Sequence, residues 1–282
     1  MCIRDRLGTA GVEITTPFSS SSTTENGGTV STKVRLKSAP LSPVTITLNS
    51  SDTQEGTVSP TVLTFNKDNW DSYVSIIVTG VDDDIADGSQ SYEIQIASVV
   101  SEDSKYSALN GQINPIKLQN EDDEIKAIVL GSLSGDTTEA GGNATFSVKL
   151  ASKPIEAVSI PIISTDTSEG TVSVSSLSFD NSNYNTVQIV TVNGEDDDER
   201  DGNIAYQVKI GPTSSNSLPY NNVESLTHSI TNMDNEISDV TVSPTNITID
   251  ETGNTSIFSV KLVTKPSADV TINLRSTDPG EG

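Results

Sequence analysis

VTITLNS, residues 44–50, alternates between apolar and polar side chains. Val44, Ile46 and Leu48 would lie on one side of an extended chain, with the threonines between them on the other, because successive side chains of a β-strand point to opposite faces. One face is then buried and the other is in contact with water. The stretch therefore predicts a half-buried β-strand.

Together with six similar stretches on either side, this one makes a set of seven predicted strands, lettered A to G. They are A near Val12 to Thr16, B near Val30 to Leu36, C at Val44 to Ser50, D near Leu63 to Phe65, E at Tyr73 to Thr79, F at Tyr92 to Ser98 and G near Ile113 to Gln119. No window of useful length has helical periodicity. Seven short strands in about a hundred residues predict an all-β fold, an immunoglobulin-like seven-stranded antiparallel β-sandwich.

The pattern repeats along the chain. Glu139 follows Glu25 by 114 residues, and Glu251 follows Glu139 by 112. A period above about 100 residues matches a self-contained domain better than a stacked solenoid unit. We therefore expect tandem domains, with repeat 1 at 7–124, repeat 2 at 125–236 and the truncated start of repeat 3 at 237–282.

The first six residues, MCIRDR, have no counterpart before the other repeats. They resemble the translation of a sequencing adapter, so we set residues 1–6 aside as an artefact. Cys2, the only cysteine of the chain, lies within them. The repeats then contain no cysteine, and core packing or bound metal must hold them together.

Composition excludes two classes of partner. The formal net charge is −23 and the isoelectric point is near 4.1, so the surface would repel the phosphates of a nucleic acid. The longest apolar runs, such as that at residues 76–78, are far shorter than a membrane span. We expect neither nucleic-acid binding nor membrane insertion within this chain.

The acidic residues of repeat 1 fall in connections that should share one end of the sandwich. Because successive strands mostly run in alternating directions, the connections after strands A, C, E and G lie at the same end. We call this the acidic end; it holds Glu25, Asp52, Glu55, Asp82, Asp83, Asp84, Asp87 and Glu121 to Glu124. The opposite, lysine-bearing end carries Lys37, Lys153 and Lys265 in the three repeats.

Such a cluster of carboxylates requires a cation. Two carboxylates about 4 Å apart repel by roughly 4 kcal/mol at an effective dielectric constant near 20. Clustered oxygen ligands without histidine or cysteine suit Ca²⁺, which accepts irregular geometry better than Mg²⁺ does. The alternative is that the two DDD runs, at 82–84 and 196–198, are solvated turns, and their recurrence at one end of each repeat favours metal.

Segments at four places resemble the Calx-beta domain family, across both complete repeats and the opening of the third. They are TTENGG and TTEAGG, SSDTQEG and STDTSEG, VDDDIAD and EDDDERD, and the closing NEDDE of repeat 1. The resemblance implies Ca²⁺ ligands in repeat 1 at Glu25, Asp52, Asp82, Asp83, Asp87, Asp122 and Asp123. In repeat 2 it implies Glu139, Asp166, Asp196, Asp197, Asp201 and Asp234.

The chain departs from the family pattern at two places. The glycine-rich segment with a tyrosine that the family usually has after the second loop is replaced by EGTVSP and EGTVSV, at residues 55–60 and 169–174, which leaves the roles of Asp52 and Asp166 open. Repeat 2 closes with MDNE, so Asn235 stands where repeat 1 has Asp123. We expect repeat 2 to bind fewer ions or to bind them more weakly.

Three functions of different class are compatible with these observations. The favoured one is a non-enzymatic, Ca²⁺-rigidified spacer or adhesion array of a large secreted or surface protein, extracellular or at the cell surface, with a cell-surface or matrix ligand as a candidate partner. In this array Lys153 and Lys265 are expected near the acids of the preceding repeat. The alternatives are a Ca²⁺-sensing regulatory module of a membrane protein and accessory, carbohydrate-binding modules of a secreted enzyme.

Two further expectations concern single positions and the last segment. No nucleophile with a neighbouring base is evident, and His228 is expected at the edge of a core rather than in a catalytic site. Residues after about Ser238 supply too few strands to close a sandwich. The apolar side chains there should lack a partner sheet, among them Ile249, Phe258, Val260 and Leu262, and this part should be the least stable.

Overall fold

The computed structural model describes residues 8–15, 21–216 and 218–280. The chain divides into two compact units. Unit 1 is Met1–Lys126 with Ala151–Ile155, and unit 2 is Ala127–Leu150 with Glu156–Gly282. The segment at residues 1–6, with Cys2, and the predicted end of strand A at Thr16 lie outside the described residues.

The described residues of unit 1 form nine strands and one short helix. The strands are β1 (Val12–Ile14), β2 (Ser22–Thr24), β3 (Thr29–Leu36), β4 (Val44–Ser50), β5 (Gly56–Ser59), β6 (Val62–Phe65), β7 (Val74–Gly80), β8 (Gln90–Val100) and β9 (Ile116–Glu121), and the helix is α1 (Ser104–Ser107). They form a four-stranded sheet in the order β1-β3-β7-β5 and a five-stranded sheet in the order β2-β9-β8-β4-β6. The predicted β-sandwich is confirmed.

Alternating side chains from the two sheets form the core of unit 1. Strand β3 pairs antiparallel with β7, and Val30, Val34 and Ile76 on this sheet are buried. Ile46 and Phe65 on the other sheet are buried in the same cluster. Because one face of each strand is apolar and the other polar, each sheet buries one face and leaves the other in water.

Two parts of unit 1 differ from the sequence prediction. Strand β1 lies where strand A was predicted, and a further short strand that was not predicted, β2, pairs in parallel with β9 in the other sheet, Thr23 opposite Asn120. Strand β5 was not predicted, because GTVS contains one apolar side chain, Val58, and shows no alternation to detect. Its pairing with β7 comes from tertiary structure, which brings Gly56 opposite Gly80.

Unit 2 repeats this architecture. Its strands are β10 (Ile128–Leu130), β11 (Thr137–Thr138), β12 (Asn143–Leu150), β13 (Val158–Ser164), β14 (Gly170–Val172), β15 (Ser176–Phe179), β16 (Gln188–Gly194), β17 (Ile204–Ile210), β18 (Ser214–Ser215), β19 (Leu226–Met233), β20 (Val240–Ser243) and β21 (Ser259–Leu262), with a 3₁₀ turn at Leu218–Tyr220. One sheet has the order β10-β12-β16-β14 and the other β11-β19-β17-β13-β15, with β18 added to β13. As in unit 1, the first short strand of the second sheet is parallel: β11 pairs with β19.

Strands β20 and β21 form a separate two-stranded sheet. Ile249 and Phe258 are exposed, and Val260 and Leu262 are only half-buried, so the predicted lack of a covering sheet is confirmed for this segment. Its low stability remains a prediction. Among the described residues, no helix has the length and apolar character needed to cross a membrane.

Each unit contains a glycine packed directly on a tyrosine ring. A Cβ at Gly170 would overlap the Tyr206 ring and hydroxyl, and one at Gly56 would overlap the ring of Tyr92. Glycine is therefore required here by the close approach of β14 to β17, since any side chain would displace the buried tyrosine. Gly135, by contrast, has open space at its Cβ position.

We expect Gly170→Ala to destabilise the protein by about 1–3 kcal/mol, the usual cost of forcing extra atoms into a packed site. Urea unfolding of this variant and of the matched control Gly135→Ala measures the difference. Equal unfolding midpoints for the two variants would show that the Tyr206 contact is not restrictive.

Candidate metal centre

Three strand ends meet at the acidic end of unit 1. The parallel pairing of β2 with β9 places Thr24 opposite Glu121, and the Glu25 amide donates to the Glu121 carbonyl at 3.1 Å. The next residues after β9 fold back, so that the Asp123 amide donates to Glu25 Oε2 at 3.3 Å. Asp82 follows the end of β7. Residues distant in sequence are thus brought to one place by strand pairing.

The result is two overlapping groups of carboxylates. One group is Glu25, Asp122 and Glu124, and the other is Asp82, Asp123 and Glu124; within each, one oxygen per residue lies within 4.8 Å of the others. Glu124 belongs to both groups. Glu25 is almost fully buried, whereas Asp82 and Asp123 are exposed and Glu124 is half-buried.

The carboxylate of Asp122 holds two loops together. Its Oδ2 accepts a hydrogen bond from the Gly88 amide, and its Oδ1 accepts one from the Glu124 amide at 2.9 Å. Gly88 has a φ of +79°, a left-handed conformation that favours glycine. Asp122 therefore connects the loop after β7 to the segment after β9, in addition to its place in the carboxylate group.

Unit 2 has one such group at the same place. Glu139, Asp234 and Glu236 lie within 4.8 Å of one another. Asp234 accepts from the Gly202 amide at 2.8 Å and from the Glu236 amide at 2.7 Å, as its counterpart does in unit 1.

In unit 2, Asn235 occupies the position that Asp123 has in the second carboxylate group of unit 1. Its side-chain Nδ2 donates to Asp196 Oδ1 at 3.4 Å, so an amide lies where repeat 1 has a third carboxylate. The described part of unit 2 has no counterpart of the second group of unit 1. This agrees with the expectation of fewer ions or weaker binding in repeat 2, and the binding itself remains a prediction.

Two glutamates, Glu25 in unit 1 and Glu236 in unit 2, retain a proton to unusually high pH. Burial, followed by the hydrogen-bonded neighbour Glu124, raises the pKa of Glu25 to about 8. Burial also raises the pKa of Glu124. In unit 2 the hydrogen bond with Glu139, followed by burial, raises the pKa of Glu236 to about 7. Without a cation, the protons on Glu25 and on Glu236 therefore reduce the repulsion from the neighbouring carboxylates.

A buried polar network supports the acidic end of unit 1. Thr23 Oγ1 donates to Asn120 Oδ1 at 2.9 Å and lies 2.9 Å from the Tyr92 hydroxyl. Asn120 Nδ2 donates to the Val81 carbonyl at 2.8 Å, which fixes the start of the loop that carries Asp82. The network therefore joins β2, β8, β9 and the loop after β7.

Unit 2 contains the same network with one bond fewer. Thr137 Oγ1 lies 3.0 Å from the Tyr206 hydroxyl, and Asn232 Nδ2 donates to the Glu195 carbonyl at 2.8 Å. The buried Asn232 Oδ1 has no hydrogen-bond partner among the described residues. Unit 2 therefore supports its acidic loop with a less complete network.

The other predicted ligands lie outside the three groups of carboxylates found in the described residues. These residues are Asp52, Asp83, Asp87, Asp166, Asp196, Asp197 and Asp201. Several of them bind their own loops: Asp52 Oδ1 accepts from the Gln54 amide at 2.9 Å, and Asp166 Oδ1 accepts from the Ser168 amide at 3.0 Å. The charges of Asp87 and Asp201 contribute to the raised pKa of Glu55 and of Glu169, respectively, whose main cause is burial.

Four residues of the acidic ends are missing from the ligand set that the resemblance implied. Glu124 and Glu236 are members of the carboxylate groups, and Glu55 and Glu169 are buried beneath the loops. All four recur with the repeat period, Glu236 at 112 residues after Glu124 and Glu169 at 114 after Glu55. Periodicity was the signal that could have identified them.

The groups fit a hard cation. All their ligand atoms are carboxylate oxygens, the type that Ca²⁺ binds, and Ca²⁺ takes about six to eight of them. Glu124 Oε2 and Glu236 Oε2 are buried and accept no hydrogen bond within the described residues. Glu25, Asp122 and Glu124 in unit 1 and Glu139, Asp234 and Glu236 in unit 2 would hold such an ion.

His228 lies in a packed environment rather than in an acidic group. Its ring centroid is 4.9 Å from that of Phe146, and its Nε2 is 3.1 Å from the Gly131 carbonyl oxygen. The ring is half-buried on β19. This matches the expected position at the edge of the core.

Comparisons with known proteins give weak similarities. No family model matches the chain, and no curated protein matches it. Among solved structures, the chain is similar to domains 4 and 5 of the S-layer protein SbsC, at 14% identity and a TM-score of 0.31 over 67% of this chain and 77% of that one. It is similar to CBD12 from CALX1.2 at 12% identity and a TM-score of 0.30, over 70% and 79% of the two chains. It is also similar to the calcium binding domain CBD12 of CALX1.1, at 13% identity and a TM-score of 0.30, over 71% of this chain and 79% of that one. The fold described above rests on the strand pairing within each unit.

We predict that the metal-free protein loses stability as the pH rises. A raised folded-state pKa means that Glu25 holds a proton between about pH 4.5 and 8 that the unfolded chain has released, so stability is greatest at the low end of this window and falls towards pH 8. Thermal melts in chelator at about pH 5.5 and 8.5 should show the lower midpoint at the higher pH. The Glu25→Gln variant should reduce this difference, and an unchanged pH dependence would contradict the assignment.

We predict that the residue type at positions 123 and 235 sets the number of calcium ions that each repeat binds. Asn235→Asp should create the second carboxylate group in unit 2 and raise the calcium stoichiometry by about one ion, and Asp123→Asn should lower it by about one. Isothermal titration calorimetry of both variants and of the unmodified chain measures the stoichiometry. Equal values for all three would refute a ligand role at this position.

Proposed function

We propose that the chain is a non-enzymatic, calcium-binding array of β-sandwich repeats. In this proposal it acts as a Ca²⁺-rigidified spacer or adhesion segment of a large secreted or cell-surface protein. The observation that supports it most is the recurrence of one group, Glu25 with Asp122 and Glu124 in unit 1, and its counterpart with Glu139 in unit 2.

The chemistry of the groups favours Ca²⁺ over other metals. Zn²⁺ and most transition metals prefer sulphur or imidazole ligands, and the groups contain neither. Mg²⁺ demands near-octahedral geometry and keeps several waters. Carboxylates from separate loops at irregular positions suit the larger and more tolerant Ca²⁺ ion.

A cation bound here would stiffen the acidic end of the repeat. The carboxylates follow β2, β7 and β9, and an ion between them would replace mutual repulsion with bonds that join three strand ends. The same group occurs in both complete repeats, which is the behaviour expected of a structural element of an array. A catalytic pair would instead be expected in one specialised copy.

The proposed setting is extracellular. Ca²⁺-dependent modules outside cells work with dissociation constants of about 10⁻⁴ to 10⁻³ M, a range that partly exposed carboxylates can reach. The sequence resemblance to Calx-beta domains supports the same reading, since Glu25, Asp82, Asp122 and Asp123 were implied as ligands and lie together. A cell-surface or matrix ligand is the proposed adhesion partner.

Thermal melts of the whole chain with Ca²⁺, Mg²⁺ or chelator test the proposal. At a free Ca²⁺ concentration of about one hundred times the dissociation constant, binding stabilises the folded state by about 2.7 kcal/mol. This corresponds to an increase in melting temperature of roughly 10 °C for a domain of this size. Mg²⁺ should have a much smaller effect.

Two variants control the melt. Glu124→Gln removes the carboxylate shared by both groups of unit 1 and should reduce the calcium-induced shift, whereas Glu102→Gln removes an exposed carboxylate outside the groups and should not. An identical shift in both variants, or none in the unmodified chain, would reject the metal site. Small-angle scattering that gives the same flexibility with calcium and with chelator would reject the rigid spacer.

A further inference from the structure

Each acidic loop of the chain is contacted by the main chain of a Lys-Pro turn. The acidic loops are 82–87 and 196–201, and the turns are 152–154 and 264–266. Within unit 1, the Lys153 amide donates to the Asp84 carbonyl at 2.7 Å. Within unit 2, the Lys265 amide donates to the Asp198 carbonyl at 2.9 Å.

The two contacts share their geometry as well as their hydrogen bond. Lys153 forms a parallel β-bridge with Ile85, and Lys265 forms a parallel β-bridge with Glu199. The partners occupy equivalent positions, because Glu199 lies 114 residues after Ile85 and Lys265 lies 112 after Lys153. The same docking therefore occurs twice, with different side chains on the loop.

Each loop is shaped to present this carbonyl. Asp83 Oδ1 accepts from the Ile85 amide at 2.6 Å, and Asp197 Oδ1 accepts from the Glu199 amide at 2.6 Å. In both loops the aspartate bonds the amide two residues later and leaves the carbonyl of the intervening residue free to accept a bond from another segment. Such a carbonyl, beside an extended residue, can add one strand-like segment through main-chain bonds.

Side-chain charge adds to one contact only. Lys265 Nζ forms an ion pair with Glu199 Oε1, and this hydrogen bond raises the pKa of Lys265. Both side chains are substantially exposed, so water and salt screen the pair and it adds little to the contact. At the equivalent position in loop 82–87, Ile85 cannot form an ion pair. The main-chain bond is the feature common to both contacts.

We propose that the loop after strand β7, and its counterpart after β16, is a docking site for a Lys-Pro turn. The turn binds through main-chain hydrogen bonds, and the contact forms without a bound metal ion. The partner is the Lys-Pro turn of the next repeat in sequence, which follows β12 in repeat 2 and β21 in repeat 3. The inference rests on the proposed array function, since it names the contact by which successive repeats bind each other. It assigns the carboxylate of Asp82 in the first loop to the cation and a carbonyl of each loop to the neighbouring repeat.

Disulfide trapping tests the register of the contact. In a Cys2→Ser background, the pairs I85C with K153C and E199C with K265C replace residues that face each other across a β-bridge, within reach of a disulfide. The control pair E199C with K261C places the second cysteine on β21, outside the bridge. In the presence of chelator we expect the two bridged pairs to oxidise at least about ten times faster than the control. Equal rates would overturn the proposal.

Amide exchange tests the main-chain claim on the unmodified chain. The amides of Lys153 and Lys265 should exchange at least about tenfold more slowly than an unprotected amide, in chelator and equally at low and high salt, because neither bond depends on charge. Loss of protection at high salt would show that the ion pair carries the contact, and would overturn the proposal. Trapping and protection in chelator without a calcium-induced melting shift would support docking and reject the calcium function. A calcium-induced shift without trapping would do the reverse.

Discussion

The acidic ends depend on one parallel strand pairing in each unit. Strand β2 is only three residues long, yet its pairing with β9 carries the buried Thr23 into the sandwich and aligns Glu25 with the residues after Glu121. Strand β11 does the same beside β19. Without this pairing the glutamate would sit on a free loop, and no group of carboxylates would form.

Buried hydrogen bonds help to offset the repulsion between the carboxylates. Bringing several carboxylates together opposes folding, because each pair repels and burial removes water from the charged oxygens. The structure offsets this cost by keeping Glu25 and Glu236 protonated to higher pH and by anchoring the loops to Asn120 and Asn232. The tyrosines beneath, Tyr92 and Tyr206, complete the network and explain why glycine faces them.

The loop after the seventh strand of each repeat, β7 or β16, contributes to two kinds of contact. In unit 1 its Asp82 joins a carboxylate group, and in both units its third aspartate offers a carbonyl to a Lys-Pro turn. Backbone geometry unites the two roles, since Asp83 and Asp197 each fold the loop around the amide two residues later. Substitutions in this loop are therefore constrained more by its shape than by the identity of the residue at the Ile85 and Glu199 positions.

The sequence by itself determined the class of fold, the repeat period and the end of the sandwich where the acids gather. Alternation in strands such as β4 is a local property, and it was sufficient because one face of each sheet is buried and the other is not. The carboxylates of repeat 1 could be placed at one end from strand count alone. The difference between Asp123 and Asn235 was also visible in the sequence.

Tertiary structure decided which acids meet and which bind only their own loops. The addition of β2 to the edge of the second sheet, the presence of β5 and the membership of Glu124 in both groups all follow from pairings between segments far apart in the chain. Local patterns contain no information on such pairings, because a hydrogen bond between main-chain atoms leaves no mark on residue type. For the same reason, the lysine turns could be placed near the acids from the sequence, but not their contact with the carbonyls of Asp84 and Asp198.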